Sequence, residues 1–242
     1  MTADRDADGP AGDATVFELA GSRWPVVEGT ARRLLVVPVG SLEQHGPHLP
    51  LDTDTRIAVS LAAGLAARCA SVTVAPAVAY GASGEHADFP GTLLMGHGVL
   101  ADLLVEIVRS ARTAFAGVVF VNAHGGNEEA LVGAQGRCIA EGDDVVVWRA
   151  TTPGGDAHAG RTETSLLLAI APSSVRLDVA RPGRTEPIAS LLPRLRAEGV
   201  RPVSSSGVLG DPTGASAEEG RVLLDSLVGD LTRTVASHWS LP

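Results

Sequence analysis

The chain has 242 residues, a net charge of −9, and only 3% aromatic residues within a hydrophobic content of 45%. Without a run of Lys or Arg, this acidic chain is a poor candidate for nucleic-acid binding, and no apolar run is long enough to span a membrane. A core built from Ala, Val and Leu favours helices on a Val-rich sheet over a β-sandwich.

Residues 1–14 are acidic and poor in side chains that could pack, so they predict a disordered N-terminal tail. We expect one domain over residues 15–242. No apolar signal segment follows the tail, which favours a cytoplasmic protein. Cys69 and Cys138 lie in apolar stretches without metal-binding spacing, as is typical of buried free thiols in a reducing compartment.

Short β-branched runs then alternate with segments of helical periodicity. The runs predict strands at residues 34–39, 72–76, 117–121 and 145–148. The periodic segments predict helices at residues 55–68, 99–115, 128–141, 164–170, 187–197 and 215–237. This alternation predicts a single-domain α/β fold in which a mostly parallel sheet lies between two layers of helices.

The segment after the first predicted strand, GSLEQHGPHLPLDTD, contains Glu43, His45 and Asp54. In an extended segment, Glu43 and His45 point to the same side because they are two residues apart. Carboxylate and imidazole groups are the ligands expected for zinc, iron or manganese. Asp54 precedes a predicted helix, where it, like Asp52, could be only a helix cap. As a ligand, its two oxygens could bridge two cations.

The segment after the third predicted strand, NAHGGN, contains His124, Gly125 and Gly126. The two glycines permit positive φ and a close approach of substrate or metal to the backbone. His124 is then held at the end of the strand. The alternative is an ordinary glycine turn whose histidine only makes local hydrogen bonds.

The segment after the fourth predicted strand, HAGRTETS, contains His158 and Glu163. As functional residues, Glu163 would bind metal and His158 would be an acid or base. As structural residues, Glu163 would only favour the helix dipole, His158 would be exposed, and Thr162 or Thr164 would cap the helix.

Convergence of the three segments favours the functional interpretation. Ligands in parallel α/β sheets bind beyond the carboxyl ends of the strands, where all three segments begin. Together they supply two imidazoles and three carboxylates, a set suited to a paired-metal hydrolase with ions roughly 3.5–4 Å apart. The predicted metal ligands are Glu43, His45, Asp54, His124 and Glu163.

These motifs, followed by GVLGDPTGASAEEG, resemble the creatininase (creatinine amidohydrolase) family over about residues 36–231. The resemblance implies a creatininase-like three-layer fold, amide hydrolysis and a homo-oligomer. It also implies two divalent metal ions, Zn²⁺ or Fe²⁺ with Mn²⁺ possible, held by the five residues above. Asp54 would bridge the two ions, and His158 would lie near the leaving group as the catalytic residue.

Departures from the family pattern argue against creatinine as the substrate. Creatininase has a Glu near the position of Gly126 and tryptophans around its substrate loop, where residues 151–157 here are TTPGGDA. Arg161 replaces a common acidic residue and would suit a substrate carboxylate. His86 is in a loop that the family places beside the pocket, although a loop histidine is more often exposed. We therefore expect substrate contacts from Gly125, Gly126, Arg161 and His86.

Within the family, the chain is most similar to the peptidase branch of mycofactocin biosynthesis. This resemblance implies a modified precursor peptide as the substrate and release of its cross-linked C-terminal Val-Tyr remnant. Two alternatives remain open. One is an amidohydrolase for a small amide, of the creatininase or formamidopyrimidine deformylase type, and the other is a catalytically silent metal-binding scaffold.

Overall fold

The computed structural model describes residues 18–30 and 32–241, so the predicted tail at residues 1–14 lies outside the described residues. The strands are β1 (Leu34–Val39), β2 (Val72–Val74), β3 (Gly117–Asn122) and β4 (Val145–Arg149). The helices are α1 (Trp24–Glu28), α2 (Thr53–Arg68), α3 (His97–Ala111), α4 (Glu128–Ala140), α5 (Arg161–Ile170), α6 (Ile188–Glu198) and α7 (Ala217–Trp239).

The four strands form one parallel sheet in the order β2-β1-β3-β4. The chain moves from β1 to one side of the sheet to form β2, and then crosses to the other side of β1 to form β3. The strand order therefore reverses between β1 and β3. At such a point the loops leaving the two strands separate and open a crevice for a ligand.

Each strand buries both of its faces, as its continuous apolar run predicts. On one side, Val36 and Val119 pack in a cluster with residues of α2, α5 and α7. On the other side, Val37 and Phe120 pack in a cluster with residues of α3 and α4. The predicted three-layer α/β/α fold is confirmed.

The predicted elements are all present, with shifted ends. The α3 helix starts at His97 rather than at residue 99, and ends at Ala111 rather than at residue 115. The α5 helix begins at Arg161, three residues before its predicted start, which makes Glu163 part of its first turn. Prediction missed this turn because its residues are polar and add nothing to the apolar periodicity that marks a helix.

A smaller cluster lies outside the two main layers. Leu191 and Leu195 of α6 pack with Val200, Val203 and Leu209, and Phe89 contacts the same cluster. The main-chain amide of Val200 also donates a hydrogen bond to the Glu85 carbonyl at 2.8 Å. This cluster therefore supports the loop that carries His86.

Two further features bear on the sequence predictions. Cys69 and Cys138 are free thiols, but Cys69 is half-buried rather than buried, because it follows the last turn of α2. Within residues 18–30 and 32–241, none of the helices combines the length and apolarity needed to cross a lipid bilayer.

Candidate metal centre

The three polar segments converge at the carboxyl edge of the sheet, where the strand order reverses. The loop after β1 carries Glu43 and His45, and the first turn of α2 carries Asp54. His124 lies two residues beyond the end of β3. Glu163 comes from the first turn of α5, beyond β4. Ligand atoms of Glu43, His45 and Asp54 all lie within 4.8 Å of one another.

Glu43 is the most unusual group of this cluster. It is fully buried, yet neither of its carboxylate oxygens has a hydrogen-bond partner. Imidazole nitrogens approach instead: His124 Nε2 lies 3.2 Å from Oε2, and His86 Nε2 lies 3.3 Å from Oε1. A buried carboxylate without donors is costly unless a charge compensates it, so this position fits a cation ligand.

Asp54 lies between the two histidines. Its Oδ1 atom is 3.0 Å from His45 Nε2, and its Oδ2 atom is 3.1 Å from His124 Nδ1. The Ser41 hydroxyl donates a hydrogen bond to Oδ2 at 2.8 Å. Each oxygen of Asp54 therefore faces a different imidazole.

The structure places Asp54 inside α2 rather than before it. The N-cap residue is Asp52, but its side chain makes no capping hydrogen bond and pairs with Arg56 instead, at 2.7 Å. The helix-cap interpretation therefore holds for the position of Asp52, although its side chain makes no capping bond, and it is wrong for Asp54. Asp54 is buried against the histidines, and Asp52 faces solvent.

His45 is oriented by the backbone of its own loop. Its Nδ1 atom lies 3.1 Å from the Glu43 carbonyl, which can only accept, so Nδ1 carries the proton. The Nε2 atom faces Asp54 and lies 3.8 Å from Glu163 Oε2. A backbone carbonyl on one ring nitrogen is the usual way in which a protein prepares the other nitrogen for metal binding.

Glu163 is held by the turn before its helix. The main-chain amide of Ala159 donates to Glu163 Oε2 at 2.6 Å. Ala159 has a φ of 52°, a left-handed conformation that is unusual for a residue with a side chain. Strain of this kind is typical of functional sites, where the surrounding structure enforces it.

The α5 helix is capped by neither Thr162 nor Thr164, since its N-cap residue is Gly160 and has no side chain. Asp156 takes this role from the preceding loop, because its carboxylate accepts from the main-chain amides of Arg161 and Thr162. Thr164 donates instead to the Gly160 carbonyl at 2.6 Å. The structural interpretation of this segment is thus wrong about the caps.

His158 and His86 are both buried beside Glu43. His158 Nδ1 lies 3.6 Å from Glu43 Oε1, and the rings of His158 and His86 are 4.5 Å apart. Ligand atoms of Glu43, His86 and His158 form a second compact group, and those of His45, His158 and Glu163 form a third. Neither histidine is the exposed loop residue of the structural interpretation.

The remaining predicted substrate contacts are Gly125, Gly126 and Arg161. Neither Gly125 nor Gly126 adopts the positive φ that a glycine permits. The backbone at Gly126 lies close to two side chains, because a Cβ atom there would be 2.4 Å from His124 Nε2 and 2.7 Å from Glu85 Oε1. Only glycine fits at this position. Arg161 is half-exposed, and its guanidinium group bonds Glu219 at 2.9 Å.

Burial shifts the pKa values of two acidic groups in this cluster. Burial raises the pKa of Glu43 to about 7 and that of Glu163 to about 7. Burial also opposes the charged form of the histidines, but the neighbouring carboxylates outweigh it at two of them. Asp54 raises the pKa of His45 to about 10, and Glu43 with Asp54 raises that of His124 to about 10.

The other two histidines shift in the opposite direction. Burial, with the charge of His124, lowers the pKa of His86 to about 3. Burial, with the charge of His45, places the pKa of His158 well below its usual range. Without metal, protons on His45 and His124 thus balance the carboxylates, whereas His86 and His158 are neutral.

Sequence reasoning missed the residues that hold this site together. Asn127 joins the loops: its Oδ1 accepts from the Ala82 amide at 2.8 Å, and its Nδ2 donates to the Gly40 carbonyl at 3.0 Å. Gln44, between two predicted ligands, is buried beside His86 and His158. Both residues lie within the polar motifs GSLEQHGPHLPLDTD and NAHGGN, but nothing in the spacing of these motifs indicates a role for an amide side chain.

The chain is similar to known proteins over most of its length. A family model described as creatinine amidohydrolase matches residues 20–235. The chain is 51% identical over 217 residues to a protein of Mycobacterium tuberculosis (strain CDC 1551 / Oshkosh) named mycofactocin precursor peptide peptidase, with 86% of each chain covered. A protein of Mycobacterium ulcerans (strain Agy99) with the same name is 47% identical over 240 residues, which cover 96% of this chain and 92% of the relative.

The fold is also similar to that of solved structures. One described as "Creatininase Mn" superposes with a TM-score of 0.74 at 25% identity, covering 92% of this chain and 98% of its own. This likeness and the buried cluster of imidazoles and carboxylates support a site for a divalent metal ion.

Proposed function

The chain belongs to the creatininase family, and from that premise we propose that it is a metal-dependent peptidase that hydrolyses the precursor peptide of mycofactocin. The observation that carries this proposal is the sequence identity of 51% and 47% to two mycobacterial proteins named mycofactocin precursor peptide peptidase, over most of the chain. The buried cluster around Glu43 supports a hydrolytic role, because it supplies the donor set that such chemistry needs.

We assign the metal ligands as Glu43, His45, Asp54, His124 and Glu163. The carboxylate of Asp54 faces both His45 and His124, so each of its oxygens could serve a different ion. On that assignment, His45 and Glu163 would hold one ion, and Glu43 and His124 the other. When bound, such ions acidify a water molecule and polarise the amide carbonyl.

His158 is assigned as the group that moves the proton. Its ring is neutral, and its Nδ1 atom faces Glu43 at 3.6 Å, so it can accept a proton there. The water oxygen bonds to the carbonyl carbon while one water proton passes to Nδ1. The same proton then goes to the nitrogen as the C–N bond breaks, which yields a carboxylic acid and an amine.

We propose that the scissile bond lies near the C-terminal end of the precursor peptide, immediately before the Val-Tyr remnant. We retain Arg161 as a contact for the terminal carboxylate. The guanidinium group already bonds Glu219, so a substrate carboxylate would have to share it. Few aromatic residues are available to stack on a flat ring such as creatinine, since the chain has 3 Trp, 1 Tyr and 4 Phe.

The test is incubation of the metal-loaded protein with the modified precursor peptide, followed by mass spectrometry. We expect a loss of mass equal to the Val-Tyr remnant, abolished by a chelator and restored by added metal. Creatinine and a formamidopyrimidine substrate are tested in parallel. Turnover of one of these with the peptide intact would favour the small-amide alternative, and bound metal without any turnover would favour the scaffold.

A further inference from the structure

The side-chain amide of Gln44 has one defined orientation. Its Oε1 atom accepts from the main-chain amide of Gly46 at 2.9 Å, and its Nε2 atom donates to the Gly207 carbonyl at 3.1 Å. Because an amide N–H only donates and a carbonyl only accepts, a flipped amide would lose both bonds. The NH₂ group therefore points toward the histidines.

Gly207 makes room for this amide. It has a φ of +81°, a left-handed conformation that favours glycine. A Cβ atom at this position would lie 1.8 Å from Gln44 Oε1 and 2.3 Å from its Cδ. The loop of residues 204–210 thus both binds the Gln44 amide and depends on the lack of a side chain at Gly207.

The amide determines which nitrogen of His86 carries a proton. Gln44 Nε2 lies 2.9 Å from His86 Nδ1. Since the amide nitrogen only donates, Nδ1 must accept, so the single proton of the neutral ring is on Nε2. That Nε2–H group faces Glu43 Oε1 at 3.3 Å, too poorly aligned to count as a hydrogen bond.

The main chain of the same residue determines the proton position in His158. His158 Nε2 lies 2.8 Å from the Gln44 carbonyl oxygen, which can only accept, so Nε2 carries the proton. The Nδ1 atom keeps its lone pair and faces Glu43 Oε1 at 3.6 Å. The 3.0 Å approach of Gln44 Nε2 to His158 Nε2 is then a contact between two donors. The two amide hydrogens are already used by Gly207 and His86.

We propose that Gln44 is a positioning residue that makes two neighbouring histidines present opposite polarity to Glu43. Its side-chain amide makes His86 present an Nε2–H donor, and its main-chain carbonyl makes His158 present an Nδ1 acceptor. Both rings have the same tautomer, but they turn different nitrogens toward the carboxylate. This division makes His86 a hydrogen-bond donor rather than a metal ligand.

For the reaction, this inference rests on the proposed function. His158 can take up a proton at Nδ1 only while Nε2 carries the other one, which the Gln44 carbonyl ensures. His86 can donate to the oxygen of the amide carbonyl as negative charge develops there. Loss of the Gln44 side-chain amide should therefore weaken a contact that grows in the transition state, and so lower kcat more than it changes KM.

The direct test is long-range ¹H–¹⁵N correlation NMR on protein labelled with ¹⁵N-histidine, without metal and with zinc. His86 and His158 should both show the Nε2–H tautomer, and His86 should keep it when zinc is added. A proton on Nδ1 of His86 in the wild-type protein, or a zinc-coordinated His86 nitrogen, would overturn the proposal. Because this readout needs no substrate, it is independent of whether the peptide is cleaved.

The variants are Gln44→Leu and Gly207→Ala, with Gln135→Leu as the matched control. Gln135 also donates from a side-chain amide to a main-chain carbonyl, that of Val145 at 3.0 Å, but it lies on α4. In Gln44→Leu the Nδ1 resonance of His86 should shift, whereas the Nε2–H signal of His158 should not, because the main-chain carbonyl remains. Gly207→Ala should reproduce the His86 change by displacing the amide.

The activity readout completes the test. We expect kcat for the peptide to fall about tenfold in Gln44→Leu, the loss of roughly one hydrogen bond, with the bound metal content unchanged. Gln135→Leu should match the wild type. An unchanged His86 resonance in folded Gln44→Leu would refute the positioning role. If Gln44→Leu does not fold, the wild-type tautomers still decide the assignment.

Discussion

The two edges of the sheet both carry many charged groups, but they arrange them differently. At the amino edge, Arg112 bonds Asp143 and Glu141 at 2.6 Å each, and Arg109 bonds Glu106 at 2.6 Å and also Glu141. Most of these side chains are about one third or more exposed. At the carboxyl edge most of the charges are buried, and neither oxygen of the Glu43 carboxylate accepts a hydrogen bond.

This difference separates structural charges from functional ones. The exposed groups at the amino edge satisfy one another, and pairs of this kind are worth about 0–1 kcal/mol each. The buried groups at the carboxyl edge are incompletely satisfied, which costs stability unless a further charge joins them. The comparison therefore predicts that substitutions at the carboxyl edge strongly lower metal binding and activity. Substitutions at the amino edge should change only stability, and only slightly.

The largest effect is expected for Glu43→Ala. Removing this carboxylate should weaken metal binding and lower peptide hydrolysis about 1000-fold, since the bound metal provides several kcal/mol of transition-state stabilisation. Elemental analysis and steady-state kinetics measure both effects. The matched control is Glu128→Gln, which alters an exposed partner of Arg149 and should retain metal and activity. Full activity in Glu43→Ala would break the distinction between the edges.

The next effect is expected for His158→Ala. Turnover should fall about 100-fold, because this substitution removes the group that we assign to moving the proton. The metal content should stay the same, since the five assigned ligands remain. His238→Ala is the control, because that histidine is exposed and pairs with Asp144 at 2.6 Å. Loss of metal from His158→Ala would instead identify His158 as a ligand.

A smaller effect concerns the pH dependence of the metal-free protein. The pKa values of His45 and His124 rise from 6.5 to about 10 on folding, so their contribution to stability is present below pH 6.5 and lost as the pH rises through 10. The pKa values of Glu43 and Glu163 rise from 4.5 to about 7, so their contribution is lost through pH 7.

All four groups thus act in the same direction. They outweigh His86 and His158, whose lowered pKa values add stability as the pH rises through 6.5. Tm of the metal-free protein should therefore fall by at least about 3 °C between pH 6 and pH 9. The gain in Tm on adding zinc should grow over the same range, because the ligands have then lost their competing protons. Differential scanning calorimetry measures both. A Tm gain that shrinks as the pH rises would contradict the assigned ligand protonation.

The smallest effect is expected at the amino edge. Glu141→Gln should lower the free energy of unfolding only slightly, because its carboxylate is exposed to screening solvent. Urea unfolding at low and high salt measures this effect, which should shrink at high salt. Metal content and peptide turnover should not change. A change in turnover would show that the two edges are coupled.

Much of the fold followed from local sequence. The β1 strand matches its predicted range. A run of six apolar residues predicts either a strand buried on both faces or a buried helix, and Pro38 disfavours the helix. The α5 helix was predicted too short because its first turn is polar and is capped by Asp156 from a loop. Such a cap depends on where a distant loop folds, which periodicity does not encode.

The candidate metal centre was likewise predicted only in part. Glu43, His45 and Asp54 were predicted from spacing, because their side-chain types have strong chemical preferences. The role of Gln44 could not be predicted, since it depends on Gly207 more than 160 positions further along the chain. Spacing identifies the groups that bind, whereas only the fold reveals the groups that orient them.

The most direct test of the account is anomalous diffraction at the zinc edge from crystals of the zinc-loaded protein. We predict two peaks roughly 3.5–4 Å apart, within coordination distance of Glu43, His45, Asp54, His124 and Glu163, with Asp54 between them. Peaks elsewhere in the molecule, or none in this cluster at saturating zinc, would contradict the claim that three distant loops build one metal centre.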